Sequence, residues 1–587
     1  MARLDPHSYA DADQPSVQLL TLDLQVDFEN KALEGSAELQ LDRAADGPVD
    51  LDTRDLSVQA VQDAQGQPLQ YTLHASEGFM GARLTVQAKG DVIVIRYRTS
   101  PTASALQWLQ PAQTDGGALP YMFTQCQAIH ARSVTPCQDS PRVRQQMKVK
   151  LRVPKALTAV MAAADRGRSE EGEWAEHNFF MPQRIPSYLL AFAVGDLASQ
   201  DVGPRTRIWA EPGVLEAAAW EFGEVDAILG AAEALFGTYP WERFDMLVMP
   251  PSFPYGGMEN PRLTFLTPTL LAKDRSLVNV VAHELAHSWT GNLVTNASMN
   301  DFWLNEGFTV YAERRILEAL EGAESCALHR ALGLQALQRD MARLEVQDPK
   351  LTRLENKLDG VDPDDVYSVV PYEKGYLFLM RIEQVVGRPA FDAFIQEYIQ
   401  RFAFTSITTA DFVHFLNQAL PKAVAEVDIE AWLHGAGLPA DAPMATSEQL
   451  DRLRDLAQRL GDEPHPPEAE LSALSGDEWQ VLLSLAPHDV PTATCAWLDE
   501  TFGLSKKGNY EILVSWLSIA IHSGYDAVWP VAKATLQTVG RGKYLRPLYT
   551  ALAGQGEPGL TFAKQVFESA RPGYHPVAQQ MVSGIVS

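Results

Sequence analysis

Two histidines one helical turn apart, with a glutamate directly after the first, are where chemistry enters this chain. In "VVAHELAHSWTGNLV" (Val280–Val294) these are His283, Glu284 and His287. On an α-helix, residues four apart project from one face about 40° from each other, so two neutral imidazoles can meet one cation. Glu284 lies beside them, able to face a water on that cation rather than bind the cation itself. The pattern arises by accident in roughly a few per cent of chains this long, so it is read together with a third ligand. "SMNDFWLNEGFTVYAERRI" supplies one: Ser298 and Asp301 have capping-box spacing before a second amphipathic helix, and Glu306 follows in its second turn. Residues 288–305 separate His287 from Glu306. That length suits helix, reversal and helix, which returns Glu306 to the two histidines. Imidazole and carboxylate ligands without a thiolate favour zinc, with a fourth position left open.

Glu313 lies seven residues beyond Glu306, two turns along the same face. Either it orients a ligand imidazole or it pairs with Arg314 or Arg315 at the surface. A metal, a glutamate base and a water describe endopeptidases and exopeptidases alike. The discriminating stretch is "PYGGMENPRLTF", in which Gly256 and Gly257 let the backbone approach a bound peptide as an edge strand would, and Met258 and Glu259 follow.

G-G-M-E-N about two dozen residues before H-E-x-x-H, and N-E-G after it, resemble the zinc aminopeptidases of the aminopeptidase N family, the gluzincins. "QCQAIHARSVTPCQDSP" (Gln125–Pro141), "VPYEKGY" (Val370–Tyr376) and "GRGKYLRPLY" (Gly540–Tyr549) resemble, within that family, its leukotriene A(4) hydrolase and aminopeptidase B branch over nearly the whole chain. The resemblance implies that Glu259 holds the substrate's free α-ammonium and that Gln125 and Gln127 line the amine end of the cleft. It implies that the Tyr372 hydroxyl stabilises the tetrahedral intermediate, and that Arg541 and Lys543 bind the carboxylate of a short peptide or fatty acid. Asp364 and Tyr367 match residues of a side-chain pocket. Read without the resemblance, "QCQ" is a strand end and Tyr372 a packing residue. Asp364 is then a turn aspartate, and Arg541, Lys543 and Arg546 are a solvated helix terminus.

The activity implied is that of a zinc aminopeptidase with one zinc per chain on His283, His287 and Glu306. It would remove the N-terminal residue of short peptides, with Glu284 as general base and Tyr372 sharing the oxyanion. The branch suggests a basic N-terminal residue. The alternative is a bifunctional or vestigial epoxide hydrolase acting on a lipid epoxide such as leukotriene A(4). One departure bears on it: after N-E-G the leukotriene hydrolases have histidine, and this chain has Phe308. A non-catalytic peptide-binding module should lack part of the catalytic set, and an endopeptidase should have no use for Glu259. Apart from His130, the histidines outside the motif are expected to be structural or exposed.

These residues need a large scaffold, and 587 residues exceed what one core organises. The first part reads as β structure. In "LLTLDLQVDF", Leu20, Leu22, Leu24, Val26 and Phe28 alternate with polar residues, and "DVIVIRY" and "MKVKLRV" continue the style. From about Ala217 the periodicity is helical. "AWLHGAGLPADAPMATSEQ" then interrupts with Gly and Pro, and "SEQLDRLRDLAQRL" begins a run of amphipathic helices spaced for antiparallel stacking. The expected fold is multidomain α+β: an N-terminal β-sandwich or saddle domain over 1–197 and a thermolysin-like, mostly α catalytic domain over 198–438. A linker over 439–446 then leads to an all-α, armadillo- or HEAT-like domain over 447–587.

A formal net charge of −27 argues against nucleic-acid and anionic-membrane partners. The four cysteines are scattered without metal or disulfide spacing, no run of about 18 apolar residues occurs, and the first residues hold no apolar stretch for export. A soluble, monomeric, cytoplasmic protein is expected.

Overall fold

The computed structural model describes residue 3 and residues 5–444, 447–462 and 465–587. Two sheets make up the N-terminal part. The larger has eight strands. Its strand Val17–Asp27 pairs antiparallel with Ala32–Thr53 and parallel with Arg144–Pro154. Leu20, Leu22, Leu24 and Val26 are all buried, as period two demands of a strand with one covered face. The smaller sheet joins Leu106–Leu109, Tyr121–Thr124, Phe192–Gly195 and Thr158–Met161. Its strand Tyr121–Thr124 ends directly before Gln125, which delivers the "QCQ" segment to the edge of the central part.

The central part opens with a five-stranded sheet that the sequence periodicity does not reveal. Its order is Ala198–Asp201, Arg207–Ala210, Asp245–Val248, Leu263–Leu266 and Gly257–Met258. Strands of four and two residues are too short to display an alternation. The helical stretch after Ala217 is two helices, Pro212–Glu221 and Val225–Phe236. Further helices follow, among them Val278–Ala286, Trp303–Glu321, Ala323–Gln347 and Gly375–Val386. The β sheets and this central part share one apolar core running from Val17 to Leu433.

Ile429–His434 is the last helix before the expected linker. Residues 439–444 carry no helix or strand, and 445 and 446 lie outside the described residues. Ser447 then starts Glu448–Arg459 by accepting a hydrogen bond from the Leu450 amide, an N-cap. Glu448–Arg459, Gly476–Leu485, Tyr510–His522, Gly542–Ala553 and Pro576–Val586 pack one upon the next, and Trp529–Thr538 with Gly556–Ala570 belongs to an outer row. This C-terminal part has its own apolar core, into which Leu328 and Ala331 of the central helix Ala323–Gln347 also reach. Among the described residues no helix is long and apolar enough to cross a membrane.

Candidate active site

His283 lies inside the helix Val278–Ala286, and His287 is its C-cap, with its amide still bonded to the His283 carbonyl at 3.2 Å. The chain then reverses at Gly291, whose φ of 121° suits glycine. A Cβ there would stand 2.4 Å from Asn305 Oδ1 and 2.7 Å from His287 Nδ1, so the reversal is packed onto His287 and the residue before Glu306. Strand Val294–Asn296 pairs parallel with Thr405–Ile407. Ser298 caps a 3₁₀ turn, Met299–Asp301, rather than the α-helix directly. The α-helix begins at Trp303, so Glu306 falls in its first turn and not, as the spacing suggested, in its second.

The three donor atoms converge. His283 Nε2 and His287 Nε2 are 3.2 Å apart, and Glu306 Oε2 is 3.4 Å from the first and 3.5 Å from the second. Atoms bound to a tetrahedral zinc at its usual bond lengths stand about 3.3–3.4 Å apart. The protonation pattern fits as well. His283 Nδ1 bonds to Glu313 Oε2 at 3.0 Å and His287 Nδ1 to the Thr290 carbonyl at 3.1 Å. Each Nδ1 is thus turned to an acceptor, which leaves the two Nε2 atoms facing each other and Glu306. Glu306 Oε2 is buried with no hydrogen-bond partner among the described residues. Two Nε2 atoms and a buried carboxylate oxygen at these separations make a donor set that a cation completes. Burial pushes His287 down to about 4, which keeps it a neutral ligand.

The two readings of Glu313 are thus resolved in favour of the imidazole. Thr309, one turn beyond Glu306, adds a contact that the sequence reading missed: its hydroxyl lies 3.1 Å from His287 Nδ1 and donates to the Thr290 carbonyl at 2.6 Å. The helix Trp303–Glu321 therefore supplies one donor and steadies both histidines. Thr309 could have been found by extending the Glu306 face by three residues, as Glu313 was by extending it by seven.

Glu284 is buried against Gly257, where a Cβ would stand 2.3 Å from Glu284 Oε1. Glycine at 257 is what lets this carboxylate sit at the strand edge. Donor atoms of Glu259, Glu284 and His287 lie within 4.8 Å of one another, so Glu259 belongs to the same cavity. Gln127 Nε2 meets Glu259 Oε1 at 3.3 Å, and Gln125 Nε2 meets Met258 Sδ at 3.3 Å with its own Oε1 unpartnered among the described residues. Burial, then the carboxylates of Glu306 and Glu284, hold Glu259 well above the usual carboxylate range. Burial pushes Glu284 up to about 8, against the opposing pull of His283. Three acids this close make a site that attracts cations.

Tyr372 occupies a single π-helical turn, Val370–Lys374, and its ring lies nearly parallel to that of His283 at 6.1 Å. Its hydroxyl is 3.0 Å from that of Tyr367. Burial, then Glu306, raises the phenol well above its ordinary value, so it remains a donor. Tyr255, beside Gly256, lies 6.4 Å from the Tyr367 ring. Asp364 is met by His130 Nε2 at 2.7 Å, with His130 Nδ1 in turn 2.9 Å from Arg54 Nη1. Neither Arg54 nor Tyr255 was singled out from sequence.

The C-terminal part closes over the cavity. Arg541, the N-cap residue of Gly542–Ala553, places its guanidinium where a Cβ at Gly256 would be 2.6 Å from Nη2. Glu511 takes Lys543 Nζ at 2.7 Å and the Tyr544 hydroxyl at 3.0 Å, and stands 3.5 Å from Arg541 Nη1. Arg546 leaves the group and lies by Arg343 and Asp340. Phe308 is buried among Trp303, Tyr398 and Phe412, stacked on Tyr398 at 4.7 Å. The departure at this position is thus a matter of core packing and does not reach the cleft.

Comparison with known proteins matches residues 5–189 to the peptidase M1 N-terminal domain, 220–432 to the peptidase family M1 domain and 474–586 to the leukotriene A4 hydrolase C-terminal domain. The chain is 38% identical to leukotriene A-4 hydrolase of Xenopus laevis, covering 99% of this chain and 98% of that one. It is 36% identical to leucine aminopeptidase 2 of Yarrowia lipolytica, covering 99% and 93%. Among solved structures, yeast LTA4 hydrolase in complex with bestatin superposes with a TM-score of 0.92 at 33% identity, covering 99% and 97%.

Proposed function

We propose a mechanism from one premise: the chain belongs to peptidase family M1, in the branch that carries a leukotriene A4 hydrolase C-terminal domain. It is a zinc metallo-aminopeptidase. His283, His287 and Glu306 are the residues that would hold the zinc. When bound, zinc supplies a Lewis acid at the scissile carbonyl and brings a water's pKa toward about 7.

The observation that carries the substrate reading is Glu259, a buried carboxylate next to the donor triad, met by the neutral amide of Gln127. Such a group favours a cationic partner, and a peptide's α-ammonium provides one. Glu259 with Gln125 and Gln127 anchors the N-terminus, while Gly256, Gly257 and Met258 offer an edge strand to the peptide. Only the first peptide bond then reaches Glu284. Glu284 takes the water's proton and returns it to the leaving amine. Tyr372 donates to the developing oxyanion, and Tyr367 donates to or accepts from Tyr372. Arg541 and Lys543 receive the carboxylate of a short peptide, and Asp364 with Tyr367 borders the pocket for its first side chain.

A cytoplasmic enzyme fits four buried, unpaired cysteines, the usage of a reducing compartment. The test is a panel of aminoacyl fluorogenic amides, leucyl and arginyl among them, each with a free or acetylated amine and with or without a chelator. Cleavage confined to free amines and abolished by the chelator is expected; equal cleavage of acetylated amides would refute the Glu259 role. Epoxide hydrolysis is the second reading, motivated by the C-terminal match and the Xenopus relative's name. Turnover of a lipid epoxide by the same preparation tests it.

A further inference from the structure

The helix Trp303–Glu321 sends two adjacent side chains to two parts of the site. Glu313 reaches His283, and Arg314 reaches the π turn that carries Tyr372. Arg314 Nη2 donates to both oxygens of Glu373 at 2.7 and 2.8 Å, and its guanidinium lies 4.0 Å over the Tyr376 ring. Residues directly after and four after Tyr372 are therefore gripped by one side chain.

The surroundings are built around this grip. A Cβ on Gly307 would stand 2.8 Å from Gly375 Cα and 3.1 Å from the Pro371 carbonyl oxygen, so the π turn lies backbone against backbone on the helix. A Cβ on Gly333, in the next helix, would stand 2.3 Å from both Arg314 Nη2 and Glu373 Oε2. Glycine there leaves the room the ion pair occupies. The two side chains are only 5% and 13% exposed, and Arg314 Nε and Nη1 have no hydrogen-bond partner among the described residues. A buried pair so sparsely satisfied is a weak source of stability compared with apolar packing. A single π turn is itself an irregular element that concentrates at functional sites.

We propose that Arg314 and Glu373 are positioning residues that hold the π turn so that the Tyr372 hydroxyl stays at the donor site beside His283 and Glu306. The proposal rests on the reading of Tyr372 as oxyanion donor. Neither residue touches substrate; both act through the tyrosine.

The test is a double-mutant cycle on the zinc-loaded enzyme, with Glu373→Gln and Tyr372→Phe alone and together, read as kcat, KM and zinc per chain on a leucyl amide. Glu373→Gln is expected to lower kcat by roughly 10- to 100-fold, the cost of misplacing a catalytic group, with KM and zinc unchanged. It is expected to cause no further loss once Tyr372 is Phe. Unchanged kcat, or equal losses in both backgrounds, would overturn the positioning role. Full activity of Tyr372→Phe would instead sink the oxyanion reading, and the couple with it. Gly333→Ala keeps both charges and forces them apart, so the same cycle on that variant decides the matter should Glu373→Gln not fold.

Discussion

Glu313 Oε2 lies 3.0 Å from Nδ1 of His283, so a carboxylate two turns beyond one member of the donor triad fixes the ring of another. This bond turns Nδ1 to an acceptor and leaves Nε2 facing Glu306 and His287. Glu313→Gln, which weakens that bond, is expected to loosen zinc by about 10- to 100-fold. Competition with a metal-binding dye measures it. Unchanged affinity would mean that the neighbouring packing alone orients His283.

Gly257→Ala is expected to abolish most turnover while leaving the fold intact. The added methyl would stand 2.3 Å from Glu284 Oε1, so the base must swing away from its place. The position has no left-handed backbone to strain, and the loss should therefore appear in kcat rather than in the unfolding temperature. Wild-type kcat in this variant would show that Glu284 has slack the packing does not suggest.

Acid should unlatch the C-terminal part. His575 caps the helix Pro576–Val586 by accepting from the Val577 amide through Nδ1, and its ring stacks on Phe123 of the β part at 6.0 Å. Burial, then the nearby His130, pushes it down to about 3. An unfolded histidine binds its proton near pH 6.5. Below that pH the unfolded chain holds more protons than the folded one, so stability falls on acidification, by up to about 1.4 kcal/mol per pH unit, until the folded ring also titrates. Above pH 6.5 the group contributes no pH dependence. His575→Asn keeps a capping oxygen and cannot be charged, so its unfolding midpoint should vary less between pH 6.5 and 4. Parallel curves for the two proteins would contradict the assignment.

Lys543 is the exposed member of the basic pair, with its side chain 60% exposed against 7% for Arg541. Lys543→Ala should raise KM for a tripeptide with a free carboxylate by no more than roughly fivefold, since an exposed ion pair contributes about 1 kcal/mol or less. Aminoacyl amides, which have no carboxylate, should be unaffected. Equal effects on both substrates would detach Lys543 from carboxylate recognition.

The convergence of His283, His287 and Glu306 was legible because an i, i+4 pair on one helix and a carboxylate on the next are local patterns. So was the first strand of the large sheet, in which Leu20, Leu22, Leu24 and Val26 alternate with polar residues. What escaped was built from short or distant pieces. The five-stranded central sheet is made of strands too brief to show a period. The His130–Asp364 bond spans 234 residues. Glu511 gives no local sign that it will neutralise Arg541 and Lys543, because it lies on a different helix. Phe308 looked like a departure bearing on chemistry and proved to be a core ring, since neighbours in sequence on a helix face different directions.

Glu284→Gln tests the account most directly, because it leaves the three donors untouched and removes only the proton acceptor. Zinc per chain and the rate of leucyl-amide cleavage are to be measured on the same sample. One zinc per chain with turnover lowered by roughly 100- to 10,000-fold, the usual scale for losing a general base, is the predicted result. Wild-type turnover in a zinc-replete Glu284→Gln enzyme would contradict it.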